Sequence, residues 1–293
     1  MKRAFLERYS RLGHNLKGDE RTRQALRANT LKTTNEELAA RLEGRGVRLS
    51  RIGWLRNGFH VEESPFSVGA CFEYLLGLYS IQEAAAQFPV EVLDPHQGEA
   101  ILDMCAAPGG KTTQIAAAMG NTGIVVAVDA SRERLYALEN SLERCGVTNC
   151  LAYWEDANEM DFKGRRFDRV LLDAPCSGNY VADRGWFSKR TLKDVGLNAG
   201  RQRELLGTAM GLLKPGGVLV YTTCSLEPEE DELNVQWIID NHGLRLERIE
   251  GPGTPALTDV LGEKLNGEIA SCRRFWPDET GTQGFFAARA VRI

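Results

Sequence analysis

The chain has 293 residues, 43% hydrophobic and 26% charged, with a net charge of −4. That composition supports a core and a soluble surface, and it excludes wholesale disorder, collagen-like repeats and a disulfide-scaffold miniprotein. No apolar run is long enough to span a bilayer, and no apolar signal core follows the opening Met-Lys-Arg-Ala-Phe-Leu-Glu-Arg, so a cytoplasmic protein with no membrane partner is expected. The seven cysteines form no C-x-x-C pair and no His-x₃-His follows them. They point to free thiols in a reducing compartment and to no metal.

Charge is uneven along the chain. Residues 1–60 hold 14 Lys and Arg against 6 Asp and Glu, and the rest is acidic. The basic segment reads either as a docking face for a polyanion, with Arg21, Arg23 and Arg27 as phosphate contacts, or as a solvated face. In chain order, Met1–Leu12 and Asn35–Gly44 have helical patterns, and Arg27–Leu31 and Phe59–Val61 read as short strands. Phe72–Leu78 is a mixed apolar run. From Ala100 the pattern changes to alternation. Strands are expected at Ala100–Met104, Ile124–Val128, Leu151–Trp154, Arg169–Leu172, Val218–Thr222 and Phe285–Ile293. Helices are expected at Lys111–Met119, Ser131–Cys145 with Ser131 as N-cap, Arg201–Leu213 ending at Lys-Pro-Gly-Gly, and Glu229–Asn241. The acids Glu229–Glu232 suit the start of that last helix. Gly251–Asn266 reads as a surface insertion. The fold expected is α/β: a mostly parallel, doubly wound, Rossmann-like sheet over 96–293, with a small basic α+β domain at 1–95.

The stretch from Ile101 to Thr113 joins a strand to a helix through Cys105, Ala106, Ala107, Pro108, Gly109 and Gly110, with Lys111 opening the helix. Small residues admit a ligand to the backbone, and a helix start offers N–H groups to a carboxylate. A P-loop would need glycine at 105, which is cysteine, and G-x-G-x-x-G is absent. A tight turn without ligand is the alternative. Asp129, Asp156 and Asp173 recur at or after strand ends and favour a cofactor containing a nucleoside, Asp129 being placed to accept from a ribose hydroxyl.

Two further motifs follow strands. Asp173-Ala-Pro-Cys176-Ser-Gly and Thr222-Thr-Cys224-Ser put two thiols and a carboxylate at strand ends. Cys71, Cys145, Cys150 and Cys272 read as small apolar filler and Cys105 as loop packing. A thiolate adding at C6 of cytosine makes C5 nucleophilic toward a methyl group. A carboxyl group at N3 stabilises the adduct, and a base then removes the C5 proton.

With these motifs, and with Arg27-Ala-Asn-Thr-Leu-Lys, Tyr79-Ser-Ile-Gln-Glu and Gly284-Phe-Phe-Ala, the chain resembles the Sun/nucleolar-protein family of RNA cytosine-5 methyltransferases over nearly its whole length. The resemblance implies S-adenosylmethionine as cofactor, Cys224 as nucleophile and Cys176 as the group assisting release. It also implies that 105–111 holds the methionine part, Asp129 the ribose and Asp156 the adenine side, with Asp173 between cofactor and base. Arg134 reads either as a cofactor contact or as helix surface. The chain departs from the family pattern at Gln82-Glu83-Ala84-Ala85 and at Gln283. RNA is the expected partner, tRNA ahead of rRNA, with no obligate protein partner evident. The alternatives are a DNA-type enzyme with its nucleophile in the Pro-Cys motif, a non-catalytic RNA-binding protein and a small-molecule methyltransferase.

Overall fold

The computed structural model describes residues 2–293, which divide into two compact units: residues 23–171, and residues 2–22 together with 172–293. The chain opens with α1 (Lys2–Arg11), which belongs to the second unit.

Residues 23–171 carry two sheets. The first is antiparallel in the order β2-β3-β1-β4, from β1 (Ala25–Ala28), β2 (Arg48–Arg51), β3 (Gly58–Glu63) and β4 (Tyr79–Ile81). Between β1 and β2 lies α2 (Asn35–Glu43), started by a capping box between Thr34 and Glu37. Its Leu38 and Leu42 pack with Leu26, Phe59 and Tyr79. The short α3 (Phe72–Leu75) leads to β4, and α4 (Ala84–Leu93) follows it. Glu83 caps α4 by accepting from the N–H groups of Ala85 and Ala86, so the departure at Gln82-Glu83 keeps a working N-cap.

The second sheet of this unit is parallel. It comprises β5 (Ala100–Asp103), β6 (Ile124–Asp129), β7 (Cys150–Trp154) and β8 (Phe167–Asp173), with α5 (Gly110–Ala118) and α6 (Arg132–Cys145) between them. β6 and β8 flank β5, and β7 lies outside β6. The order therefore reverses at β5, and ligands of such sheets sit outside the strand ends at that reversal. Asn29 donates to Gly77 O and Cys145 O at 2.8 Å each, clamping the small sheet to the end of α6. A Cβ at Gly77, where φ is +71°, would lie 1.9 Å from Arg144 O, so only glycine fits that crossing.

The chain leaves this unit within β8. The other unit continues through α7 (Trp186–Lys189), α8 (Leu192–Leu212), β9 (Leu213–Thr223), α9 (Glu232–Asn241) and β10 (Leu244–Glu247). Then come β11 (Thr254–Pro255), the β12–β13 hairpin (Asp259–Val260, Glu263–Lys264), β14 (Arg273–Phe275), α10 (Pro277–Thr280) and β15 (Phe285–Arg292). Here the pairing is antiparallel: β15 lies between β9 and β14, β10 also joins β15, and β11 joins β14. The parallel order expected for most of the sheet thus holds among β5–β8, while β9, β10, β11, β14 and β15 are joined by antiparallel pairs. Phe5, Tyr9, Leu12 and Leu16 pack with Trp186, Leu226 and Trp276 in this unit's core.

Three expectations need correction. α8 begins at Leu192, nine residues before Arg201, because Thr191 and Asp194 form a capping box. Exposed Gly196 and Gly200 weaken the helical signal of its first turns. Lys214–Gly217 ends α8 but already lies in β9. The helix expected from Glu229 begins three residues later, at Glu232 with Asp231 as N-cap, so acids do stand at its start, and Glu230, Asp231 and Glu232 are fully buried. Gly251–Asn266 is a surface segment as expected, anchored by β11 and by buried Ala256 and Val260.

The positive charge of 1–60 is diluted over 1–95. Residues 61–95 add six acids and no cation, so the count over 1–95 is 14 to 12. Five of the cations pair with those acids: Arg23 with Glu62, Arg41 and Arg45 with Glu73, Arg48 with Glu63, and Arg56 with Glu91 and Asp94, whereas Arg21 is exposed and pairs with none of them. Arg27 is buried and donates to Thr113 Oγ1 at 3.0 Å, and burial pushes its guanidinium down to about 10. It has no surface to offer a phosphate.

Candidate active site

The loop after β5 lies within residues 23–171. β5 ends at Asp103, whose buried carboxylate accepts from Thr112 Oγ1 at 2.8 Å and ties the strand to the first turn of α5. Gly109 is the N-cap of α5, with φ +98°. A Cβ there would come 2.9 Å from Leu138 Cδ1, so a larger residue would strain the left-handed turn and push Leu138 aside. Asp129, at the end of β6, accepts from Ala107 N–H and Ser131 N–H at 3.0 Å each. Each of its oxygens keeps a second lone pair. Arg134 donates to Ala107 O and lies 3.7 Å from Asp129, so it braces the loop rather than merely coating the helix. Asp156 is exposed and accepts from Asn158 N–H at 2.9 Å. Cys105, Gly110 and Lys111 are half-buried, Ala106 and Ala107 buried, and Pro108 exposed.

The two cysteine motifs lie in the other unit. Ala174 N–H donates to Thr222 O, and Thr222 Oγ1 donates to Asp173 at 2.9 Å. Both thiols are free and half-buried, and Cys176 Sγ lies 3.0 Å from Cys224 Sγ. Contact with Cys224, then burial, push the Cys176 thiol well up, so it keeps its proton. Cys71, Cys145 and Cys272 are buried, and burial pushes the Cys150 thiol up to about 12, which fits the packing role expected of these four.

Several residues around the thiols were not read from the sequence. Glu230 accepts from Ser177 N–H at 2.9 Å and from Ser177 Oγ at 2.6 Å, fixing the residue next to Cys176. Gln202 donates to Pro175 O and to Glu230. Asn179 donates to Cys224 O at 2.8 Å and to Gly284 O. Thr223 donates to Asp231, and Arg274, with no exposure, holds Asp231 and Glu232 and donates to Leu226 O. Burial pushes Glu230 and Asp231 up, and Arg274 pulls Asp231 back. Glu227 takes Tyr9 O–H at 2.7 Å and Arg8 at 3.0 Å, with its carboxyl pushed up by burial to about 7. The only signal in the sequence was a run of acids directly after a cysteine loop.

The chain matches known proteins over this whole span. A family model described as 16S rRNA methyltransferase RsmB/F matches residues 90–291, and one for the N-terminal domain of 16S rRNA methyltransferase RsmF matches 1–84. The chain is 40% identical over 272 residues to a 28S rRNA (cytosine-C(5))-methyltransferase of Mus musculus, covering 90% of this chain and 34% of that protein. It is 37% identical over 272 residues to the tRNA (cytosine(49)-C(5))-methyltransferase of Pyrococcus abyssi, covering 91% and 87%. The crystal structure of a methyltransferase homolog from Pyrococcus horikoshii superposes with TM-score 0.89 at 36% identity, covering 99% of both chains. The chain spans about a third of the length of the mouse relative. It belongs to the RsmB/F family of methyltransferases, the Sun family that its two cysteine motifs resemble.

Proposed function

We propose that the chain transfers a methyl group from S-adenosylmethionine to C5 of a cytosine in RNA, through a covalent bond between Cys224 and C6 of the base. The supporting observation is the pair of free thiols 3.0 Å apart on loops that follow Asp173 and Thr222. Cys224 loses its proton and its thiolate adds at C6. The displaced electron pair makes C5 nucleophilic, and C5 takes the methyl group. The Asp173 carboxyl group stabilises the adduct at N3. A base then takes the C5 proton, the C6–S bond breaks and Cys224 leaves, with Cys176 assisting.

S-adenosylmethionine supplies the methyl group as an electrophile when bound. The residues fit it: the loop of Cys105, Ala106, Ala107, Pro108, Gly109 and Gly110 leads into a helix start suited to a carboxylate, with Lys111 in its first turn. The carboxylate of Asp129 retains lone pairs for ribose hydroxyls, and Asp156 is the candidate for the adenine side. Residues 1–95 seat the RNA and residues 96–293 carry the cofactor and the chemistry. That is a division of labour, and the compact units cut the chain elsewhere.

Transfer RNA is the first substrate to test, because the tRNA-modifying relative is matched over 87% of its length. The family model described for 16S rRNA favours ribosomal RNA as the second. The reaction belongs in the cytoplasm, where free thiols persist. The test is incubation with methyl-labelled S-adenosylmethionine and unfractionated tRNA or rRNA, then nucleoside analysis. Label in 5-methylcytidine, absent with Cys224→Ala, is expected. Label elsewhere, or none in either RNA, overturns the reading.

A further inference from the structure

The unit that holds the two thiols also has a crevice of about 250 Å³, lined by Ala4, Phe5, Glu7, Arg8 and Arg11 of α1 and Leu192 of α8. Its walls are apolar at Ala4, Phe5 and Leu192 and cationic at the rim. Arg8 is committed to Glu227 and Glu229, and Glu7 is neutralised by Arg3 at 2.7 Å. Arg11 is exposed and makes no ion pair or hydrogen bond with the described residues. The same holds for Lys193, next to Leu192, and for Arg201, two helical turns further along α8. Lys193, Leu197 and Arg201 recur at four-residue spacing and so share a face, on which Leu197 is 57% exposed. The cations of 23–95, by contrast, are spent on internal partners.

The crevice is tied to both cysteine loops. The Phe5 ring lies 4.7 Å from the Trp186 ring, and Trp186 Nε1 donates to Ser177 O at 2.7 Å, one residue from Cys176. On the other side Arg8 holds Glu227, three residues after Cys224. The volume falls below the ~300–1,000 Å³ of small-molecule pockets, so it suits a single base rather than a whole cofactor. A free guanidinium beside apolar walls is complementary to a nucleotide, with its flat base and its phosphate.

We propose that this crevice seats a nucleotide of the RNA strand flanking the reacting cytosine. The base lies against exposed Ala4 and Leu192, with the buried Phe5 ring beneath them, Arg11 takes its phosphate, and Lys193 and Arg201 take phosphates further along α8. This rests on RNA as the substrate.

The test is filter binding of unfractionated tRNA across a salt series, on the full chain. The double variant Arg11→Glu/Lys193→Glu should bind at least roughly tenfold more weakly at low salt, since each charge-assisted contact is worth about that factor or more. Its log–log salt slope should be shallower by about 1–2, the release of two phosphate contacts. Leu192→Ser should weaken binding several-fold with the slope unchanged. Lys264→Glu, a charge change on the β12–β13 hairpin, controls for net charge. If the double variant binds within about twofold of the parent, or loses no more than the control, the crevice is not an RNA seat. A protein partner or nothing then covers it. If the parent forms 5-methylcytidine in tRNA while the double variant binds normally, only this site is wrong. If the parent neither binds nor methylates RNA, the reading beneath it fails too.

Discussion

The loop after β5 is made of residues with almost no side chain, and backbone geometry fixes it: a left-handed glycine, a helix start and two N–H groups on Asp129. The loops after β8 and β9 are fixed by long charged side chains with no exposure. Glu230 grips Ser177, and Arg274 grips Asp231 and Glu232. A loop that must admit a ligand to its backbone is built by removing side chains. Two loops that must hold sulfur atoms 3.0 Å apart are built by burying them. Burial raises the stakes, because a charge left without its partner inside a protein costs far more than a surface pair contributes.

That contrast predicts where substitution hurts most. Arg274→Met leaves Asp231 and Glu232 buried without their cation, and should destabilise the protein by about 3–5 kcal/mol in denaturant melts. A loss below about 1 kcal/mol would mean that the acids are not held as described. The next effect is in pH. The Glu227 carboxyl is raised from 4.5 to about 7 in the fold, so between those values the folded chain keeps a proton that the unfolded chain releases. Stability should therefore fall as pH rises through that window, by on the order of 2–3 kcal/mol, with no further loss from this group above it. Glu227→Gln should flatten the fall, and an unaltered slope would show that another group titrates.

Glu230→Ala removes the acceptor of Ser177 N–H and should cost roughly 1–3 kcal/mol. Its larger signature is kinetic. With Ser177 loosened, Cys176 loses its position, so RNA adduct should outlast the parent's while still forming. Equal losses of formation and resolution would reduce Glu230 to a stability residue. Gly109→Ala is the smallest change in atoms, and it asks whether the β5 loop is as tightly built. A left-handed φ costs an alanine about 1–2 kcal/mol, and Leu138 must also give way. Calorimetry should show weaker S-adenosylmethionine binding, and unchanged affinity would mean that the turn can relax.

The same contrast decides what could be read from the sequence. The β5 loop was legible because its message is local. Six small residues between a β-branched strand and a helix mean the same thing wherever they occur, and the Ser131 cap of α6 was read correctly for the same reason. The two cysteine motifs were legible as residue patterns. The burial of the acids around the start of α9 was not legible, because Asp231 and Glu232 look the same in sequence whether water or Arg274 neutralises them. Arg274 lies more than forty residues away. The pairing of Arg23, Arg41, Arg45, Arg48 and Arg56 was hidden similarly, since their partners Glu62, Glu63, Glu73, Glu91 and Asp94 begin two residues beyond the counted window. The start of α8 was missed because two exposed glycines mask a helix that a capping box begins. Pairings across the fold carry no periodicity, so composition and spacing alone could not reveal them.

The central claim is that the two adjacent thiols divide the work, Cys224 forming the bond to RNA and Cys176 helping to break it. The most direct measurement incubates Cys224→Ala and Cys176→Ala separately with S-adenosylmethionine and RNA, and runs each on a denaturing gel. The account predicts a band of protein joined to RNA for Cys176→Ala and none for Cys224→Ala, because an adduct that cannot be resolved persists and one that cannot form leaves no trace. A persistent band with Cys224→Ala and none with Cys176→Ala would reverse the roles and contradict the account.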